Sequence, residues 1–191
     1  MFDNKLTRSF DNIQVIHKSI VELTKDLYLA GFGGSVPSTH ISPPEICGTR
    51  AWEGYPHRSD DSFGQDLLPF VETIKAELTQ DDSKQFIFVT HNGPYDCDTT
   101  LFQKYDITSP KITSGSVPLR SALESLEIQS NCVCHIHGHT HLFRPGSSLV
   151  GVLPIVNPGS LMEGNFSVIQ LERQENGKFL LSAVNSFRFK P

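Results

Sequence analysis

"QFIFVTHNGP", Gln85 to Pro94, runs through four apolar residues and stops abruptly at His91, Asn92, Gly93 and Pro94. A short continuous run of β-branched and aromatic residues closed by turn formers predicts a strand buried on both faces. "NCVCHIHGHTH", Asn131 to His141, repeats the arrangement: a strand, then Gly138, then His139 and His141. Ligand sites in open α/β sheets form outside the carboxyl ends of the strands. Two strand ends therefore deliver His91, His139 and His141 toward one rim.

The neighbouring segments extend this pattern. "NIQVIHKSIVEL" and "LYLAGFGG" upstream, and "LPIVNPGS", "FSVIQLE" and "FLLSAVNSFRF" downstream, have the composition of strands ending in turns. In "FGQDLLPFVETIKAELTQ", Leu67, Leu68, Val71, Ile74 and Leu78 follow helical spacing. That predicts an amphipathic helix over about 64–79, capped by Asp61 or Ser62, with Pro69 in its first turn. A second helix is expected over "PLRSALESLE". Helix and strand alternate to about residue 137 and strands follow, so the fold class is α/β with an antiparallel or mixed end. No repeat or linker divides residues 1–191, which read as a single domain.

Composition narrows the function. The chain has 16 basic and 21 acidic residues with no basic run, which argues against binding a nucleic-acid polymer or an anionic membrane. No segment approaches the roughly 20 apolar residues of a membrane helix. "MFDNKLTRSF" lacks the apolar stretch of a secretory signal. Cys132 and Cys134 stand one residue apart, where strand alternation points both to one face and disfavours a bridge. Together with Cys47 and Cys97 they are expected to be free thiols, in a cytosolic setting.

Imidazole is a ligand for zinc, manganese, iron or nickel, and residues two apart in an extended loop can face one pocket. Cys132, Cys134, His135 and His137 also admit a compact zinc site, but no second Cys/His pair stands at structural-zinc spacing. His91 alone would be a turn histidine; beside His139 and His141 the metal reading prevails. His135 is expected to be a strand residue of a half-polar layer, and His137 and Asn92 to contact a ligand or support one. His17, His40 and His57 are expected at the surface or in loops, and Asp96 and Asp98 in a solvated loop. In the long stretch before the first helix, Trp52, Tyr55 and Arg58 are candidate substrate contacts, Arg58 offering a two-pronged phosphate grip.

"THNGP", "HGHTH" and "NPGS", in that order, resemble the later motifs of the calcineurin-like metallophosphoesterases, as do "YLAGFGGSVP" and "GSVPLR" upstream of them. The resemblance implies the C-terminal part of a two-sheet sandwich flanked by helices. It also implies a metal-dependent hydrolase of phosphate mono- or diesters. In that family a pair of divalent ions clamps the ester and activates a bridging hydroxide. By resemblance His91 and His139 would hold one metal and His141 the other, with Asn157 to Ser160 forming a turn near the site.

The family's earlier motifs, an Asp-x-His, a Gly-Asp and a Gly-Asn-His-Asp, have no counterparts in these 191 residues. The bridging aspartate, the asparagine ligand and the proton-donating histidine are thus unmatched. The resemblance therefore implies at most one divalent ion (Mn, Fe, Zn or Ni), an inactive short chain, and self-association through an exposed sheet edge. The alternative is a non-catalytic metal-binding or protein-interaction scaffold derived from the same fold.

Overall fold

The computed structural model describes residues 14–37, 53–102, 112–140 and 146–189. Its first eight strands are β1 (Ser19–Thr24), β2 (Leu27–Phe32), β3 (Gln85–Thr90), β4 (Leu101–Phe102), β5 (Ile112–Thr113), β6 (Cys132–Ile136), β7 (Gly146–Val150) and β8 (Leu153–Asn157). Six of them form the central mixed sheet, in the order β1-β2-β3-β6-β8-β7. The four inner strands β2, β3, β6 and β8 run parallel, and β1 and β7 pair antiparallel at the two edges. All four inner strands thus end on one rim, where β3 delivers His91 and β6 delivers Gly138 and His139. The short strands β4 and β5 form a separate ribbon.

One face of the sheet is covered by helices. Helix α1 (Asp60–Leu78) buries Phe63, Leu67, Phe70, Val71, Ile74 and Leu78 in a core shared with Ala30, Phe32, Phe86, Phe88 and Ile155. It begins earlier than sequence spacing predicts, because Ser59 is the cap. The Ser59 hydroxyl accepts from the Ser62 backbone N–H, and the Ser62 hydroxyl in turn accepts from the Ser59 backbone N–H, a reciprocal capping box. Pro69 consequently lies mid-helix rather than in the first turn. It is exposed, so the Gln65 carbonyl that loses its helical N–H partner is on the wetted side.

The second expected helix is two: α2 (Val117–Leu123) and α3 (Leu126–Asn131). Ser125 breaks them, adopting extended backbone while its hydroxyl donates to Ala122 O at 2.9 Å. The first strand is also shorter than its apolar run, since Lys18 turns the chain at φ 51°.

A hairpin of β9 (Asn165–Arg173) and β10 (Phe179–Arg188) covers the opposite face. Leu171, Phe179 and Leu181 pack there on Leu27, Ile87, Val133 and Cys134. The Gln85 side chain fastens the hairpin by donating to Phe179 O at 3.1 Å and accepting from Phe179 N. The architecture is thus mixed α/β: helices, a six-stranded sheet, and a small antiparallel sheet. No helix among the described residues is long and apolar enough to cross a membrane.

Strand β6 departs from simple alternation. Phe86 pairs with Cys132 but Ile87 with Cys134, so Val133 is an inserted residue. The bulge corrects the expectation that both thiols share a face: Cys132 belongs to the helix-side core and Cys134 to the hairpin side. Both are free and buried, as is Cys97. Burial raises the Cys132 thiol well above its ordinary value and lifts Cys134 to about 12. Cys47 lies outside the described residues.

Candidate metal centre at the sheet rim

Past the bulge, β6 places His135 and His137 on the helix side, where their rings stack at 5.6 Å. His135 packs edge-on against Phe88. Its Nε2 lies 2.8 Å from the Thr90 hydroxyl, which itself donates to Asn92 O. Thr90 therefore has only its lone pairs to offer His135, so Nε2 carries the ring proton. Burial holds the His135 pKa well below the ordinary imidazole value, and the neighbouring His137 lowers it further.

His137 is fixed in the opposite tautomer. Its Nδ1 can only donate to Gly138 O (2.9 Å), which leaves Nε2 to accept the Thr99 hydroxyl proton (2.8 Å). Burial brings this pKa down to about 4, so His137 is neutral at physiological pH. Its ring sits over Gly93, where a Cβ would come within 2.5 Å of Cε1. "HNGP" thus contains a glycine because the imidazole lies against it.

The chain then reverses. Gly138 N donates to His91 O at 3.0 Å, tying the end of β6 to the end of β3. His139 follows at φ 61°, a left-handed conformation that costs a side-chain-bearing residue energy. In this conformation His139 Nδ1 stands 3.4 Å from His91 Nε2, with ring centroids 5.2 Å apart. Two nitrogens bound tetrahedrally to one ion at the usual metal–imidazole length are about 3.3–3.4 Å apart. The spacing of this pair fits two ligands of a single divalent ion.

Of the other candidates, His141 lies outside the described residues, as do His40 and Trp52. Asn92 is wholly buried beside His91; its Oδ1 accepts from Val36 N at 3.4 Å, while its Nδ2 has no hydrogen-bond partner. Arg58 is exposed and directs its guanidinium to Glu53 and Gly54 O rather than to the imidazole pair. Asp96 and Asp98 are exposed loop residues, as expected. Among the described residues no group of three or more His, Cys, Asp or Glu is arranged to hold a metal ion.

His57 is not the loop-surface residue that the sequence suggests. It is 5% exposed, stacked on Phe32 and edge-on to Phe63, and burial lowers its pKa. His17 is half-buried and accepts from Gly33 N at 2.9 Å.

Sequence reasoning missed the polar layer beneath the rim. The Asn157 side chain donates to Thr140 O at 2.9 Å and Thr99 O at 3.2 Å, and accepts from Gly159 N at 2.9 Å. Thr140 also bonds the Ser114 hydroxyl. "NPGS" signalled a turn; that its asparagine reaches the loop after β6 follows only from β8 lying beside β6.

No family model matches the chain, and no curated protein matches it. One solved crystal structure is similar over 95% of this chain and 56% of its own length, at 18% identity and a TM-score of 0.56. The crystal structure of TT1561 of Thermus thermophilus is similar over 91% of this chain and 58% of its own length, at 15% identity and a TM-score of 0.47. The first likeness establishes a shared α/β fold. The chain spans little more than half the length of either structure.

Proposed function

We propose that this chain carries the imidazole side of a metal-dependent phosphoesterase centre and binds one divalent ion through His91, His139 and His141. The observation that supports this is the meeting of His91 and His139 at 3.4 Å, from strands whose sequences lie 48 residues apart. The resemblance of "THNGP", "HGHTH" and "NPGS" to the metallophosphoesterase motifs supplies the reaction class. A bound ion would polarise a phosphoryl oxygen. The residues of this chain orient the ion, and the buried layer of Thr90, His135, His137 and Thr99 beneath the rim excludes water from that side.

Among the described residues nothing stands beside the pair to accommodate a second ion. Two divalent charges some 3.5 Å apart repel by on the order of 20 kcal/mol at an effective dielectric near 20. Neutral imidazoles do nothing to offset that, and Asp96 and Asp98 point to solvent. Among the described residues no acid is placed beside the imidazole pair for the leaving group. We therefore expect one equivalent of Mn, Fe, Zn or Ni and no turnover of a simple aryl phosphodiester.

The test is a titration of the full chain with zinc or manganese, alone and as His91→Ala and His139→Ala. One equivalent bound by the parent and lost in both variants supports the proposal. Uptake indifferent to both substitutions refutes it. Metal-dependent hydrolysis by the chain itself, abolished in His139→Ala, would instead establish a working one-metal centre.

A further inference from the structure

The left-handed backbone of His139 has to be held, because an ordinary residue relaxes out of that region unless its surroundings over-determine it. Side chains from three separate segments, together with one internal bond, do the holding. The His137 Nδ1–H donates to Gly138 O on one side of His139. The Asn157 carboxamide, from the end of β8, donates to Thr140 O on the other side. Thr140 N closes the turn on Gly138 O at 2.7 Å, and Ser114 bonds the Thr140 hydroxyl.

The two outer contacts share a support. Thr99 donates its hydroxyl proton to His137 Nε2, which keeps the proton of that ring on Nδ1, facing Gly138. The Thr99 carbonyl accepts the same Asn157 carboxamide. Behind it, Cys97 Sγ lies 3.3 Å from the Thr99 hydroxyl and 3.2 Å from the half-buried Ser148 hydroxyl, extending the contacts across the layer. All of Thr99, His137, Thr140 and Asn157 are buried.

We propose that Thr99, His137 and Asn157 are positioning residues for the metal centre: they clamp the Gly138–Thr140 turn and so bring His139 Nδ1 to its place beside His91 Nε2. None touches the ion; each acts through the backbone of the turn. The proposal rests on His91 and His139 being ligands for its metal arm. Its geometric arm stands without that.

Thr99→Val removes the hydroxyl at constant size, and Thr99→Ser restores it. Zinc alone is titrated into the full chain below its melting temperature. Thr99→Val is expected to weaken binding 10- to 100-fold, the usual effect of removing a group that orients a ligand, and Thr99→Ser to recover most of it. A merely structural Thr99 would lower the melting temperature and leave the affinity of the folded protein unchanged, which overturns the proposal.

Imidazole nitrogen and ring-proton NMR of the metal-free protein reads the same clamp independently. The parent should show His137 protonated at Nδ1 and a cross-peak between the His91 and His139 rings, and Thr99→Val should lose that cross-peak. Asn157→Ala, if folded, should lose it too. Its retention in Thr99→Val overturns the clamp. A parent that takes up no zinc, or whose uptake ignores His91→Ala, defeats the metal reading, and the ring cross-peak then decides the clamp alone.

Discussion

Gly138 and His139 should respond to alanine and glycine in the reverse of what "HGHTH" suggests. A glycine before a histidine at a turn reads as the residue that supplies positive φ, yet here Gly138 does not occupy that region and His139 does, at φ 61°. A Cβ at Gly138 would find its nearest neighbours, His91 Nδ1 and His91 O, at 3.8 Å, ordinary contact. Gly138→Ala should therefore be tolerated and, by narrowing the unfolded ensemble, stabilise by about 0.5 kcal/mol.

At 139, His139→Gly and His139→Ala both delete the imidazole and differ by one methyl in a left-handed backbone. That methyl costs about 1–2 kcal/mol in the folded state and gains about 0.4–1 kcal/mol through the unfolded state, so glycine should be the more stable by about 1 kcal/mol. For a chain of this size, 1 kcal/mol corresponds to about 2–4 °C. Differential scanning calorimetry of the three variants without metal resolves this. His139→Ala melting at or above His139→Gly would mean that the turn is not left-handed at 139, and the account of how His139 reaches His91 would fall with it.

Gly93→Ala should destabilise by about 1–3 kcal/mol and weaken zinc binding, because the added Cβ falls 2.3 Å from Thr100 Cγ2 and 2.5 Å from His137 Cε1; chemical denaturation and titration check it. Stability should fall with acid. The pKa of His137 is about 4 folded against 6.5 unfolded, so the unfolded chain binds more protons between those values. The His137 contribution is complete above pH 6.5 and reduced by about 2 kcal/mol at pH 5. His135, shifted the same way, adds to the loss, and a flat denaturation midpoint from pH 7 to 5 would contradict both. Thiol titration should count four free cysteines in unfolded, metal-free protein, while Cys97, Cys132 and Cys134 stay unreactive in the native state. A count of two would reveal a disulfide.

The legible parts of this fold were those written in local pattern. Apolar runs placed β2, β3, β6 and β8, and their abrupt polar ends placed His91 and His139 on one rim, because parallel strands end together. Helix α1 was legible in its apolar spacing, but its start was not: the serine pair at 59 and 62 competes with Asp61 as a cap, and only geometry decides. The short edge strand β7, "GSSLV", has too few apolar residues to stand out.

The polar layer was illegible for a different reason. Thr99, Ser114, Thr140 and Asn157 are residues that ordinarily mark turns, and each does lie in or beside one. Their meeting depends on strand order, which places β8 next to β6. His57 shows the same limit: a histidine among Tyr, Pro and Arg reads as surface, and Phe32 and Phe63 enclose it only after the sheet forms.

The inserted Val133 makes the side taken by His135 and His137 a matter of phase. Each strand residue chooses a side by its parity, and one extra residue inverts that choice for everything downstream. Were Val133 kept but paired regularly with Ile87, with Cys132 still opposite Phe86, both strand imidazoles would turn toward the hairpin, and Cys134 would take their place against Phe88. That one-residue slip exchanges the chemical identities of the two sides of the sheet, whereas deleting Val133 would leave Cys134 opposite Ile87 and His135 opposite Phe88 in plain alternation. The hairpin side packs Leu171, Phe179 and Leu181 against the sheet. A ring nitrogen sent to that side would meet hydrocarbon. The side on which His135 and His137 stand is therefore set by the phase of the strand as much as by the histidines themselves.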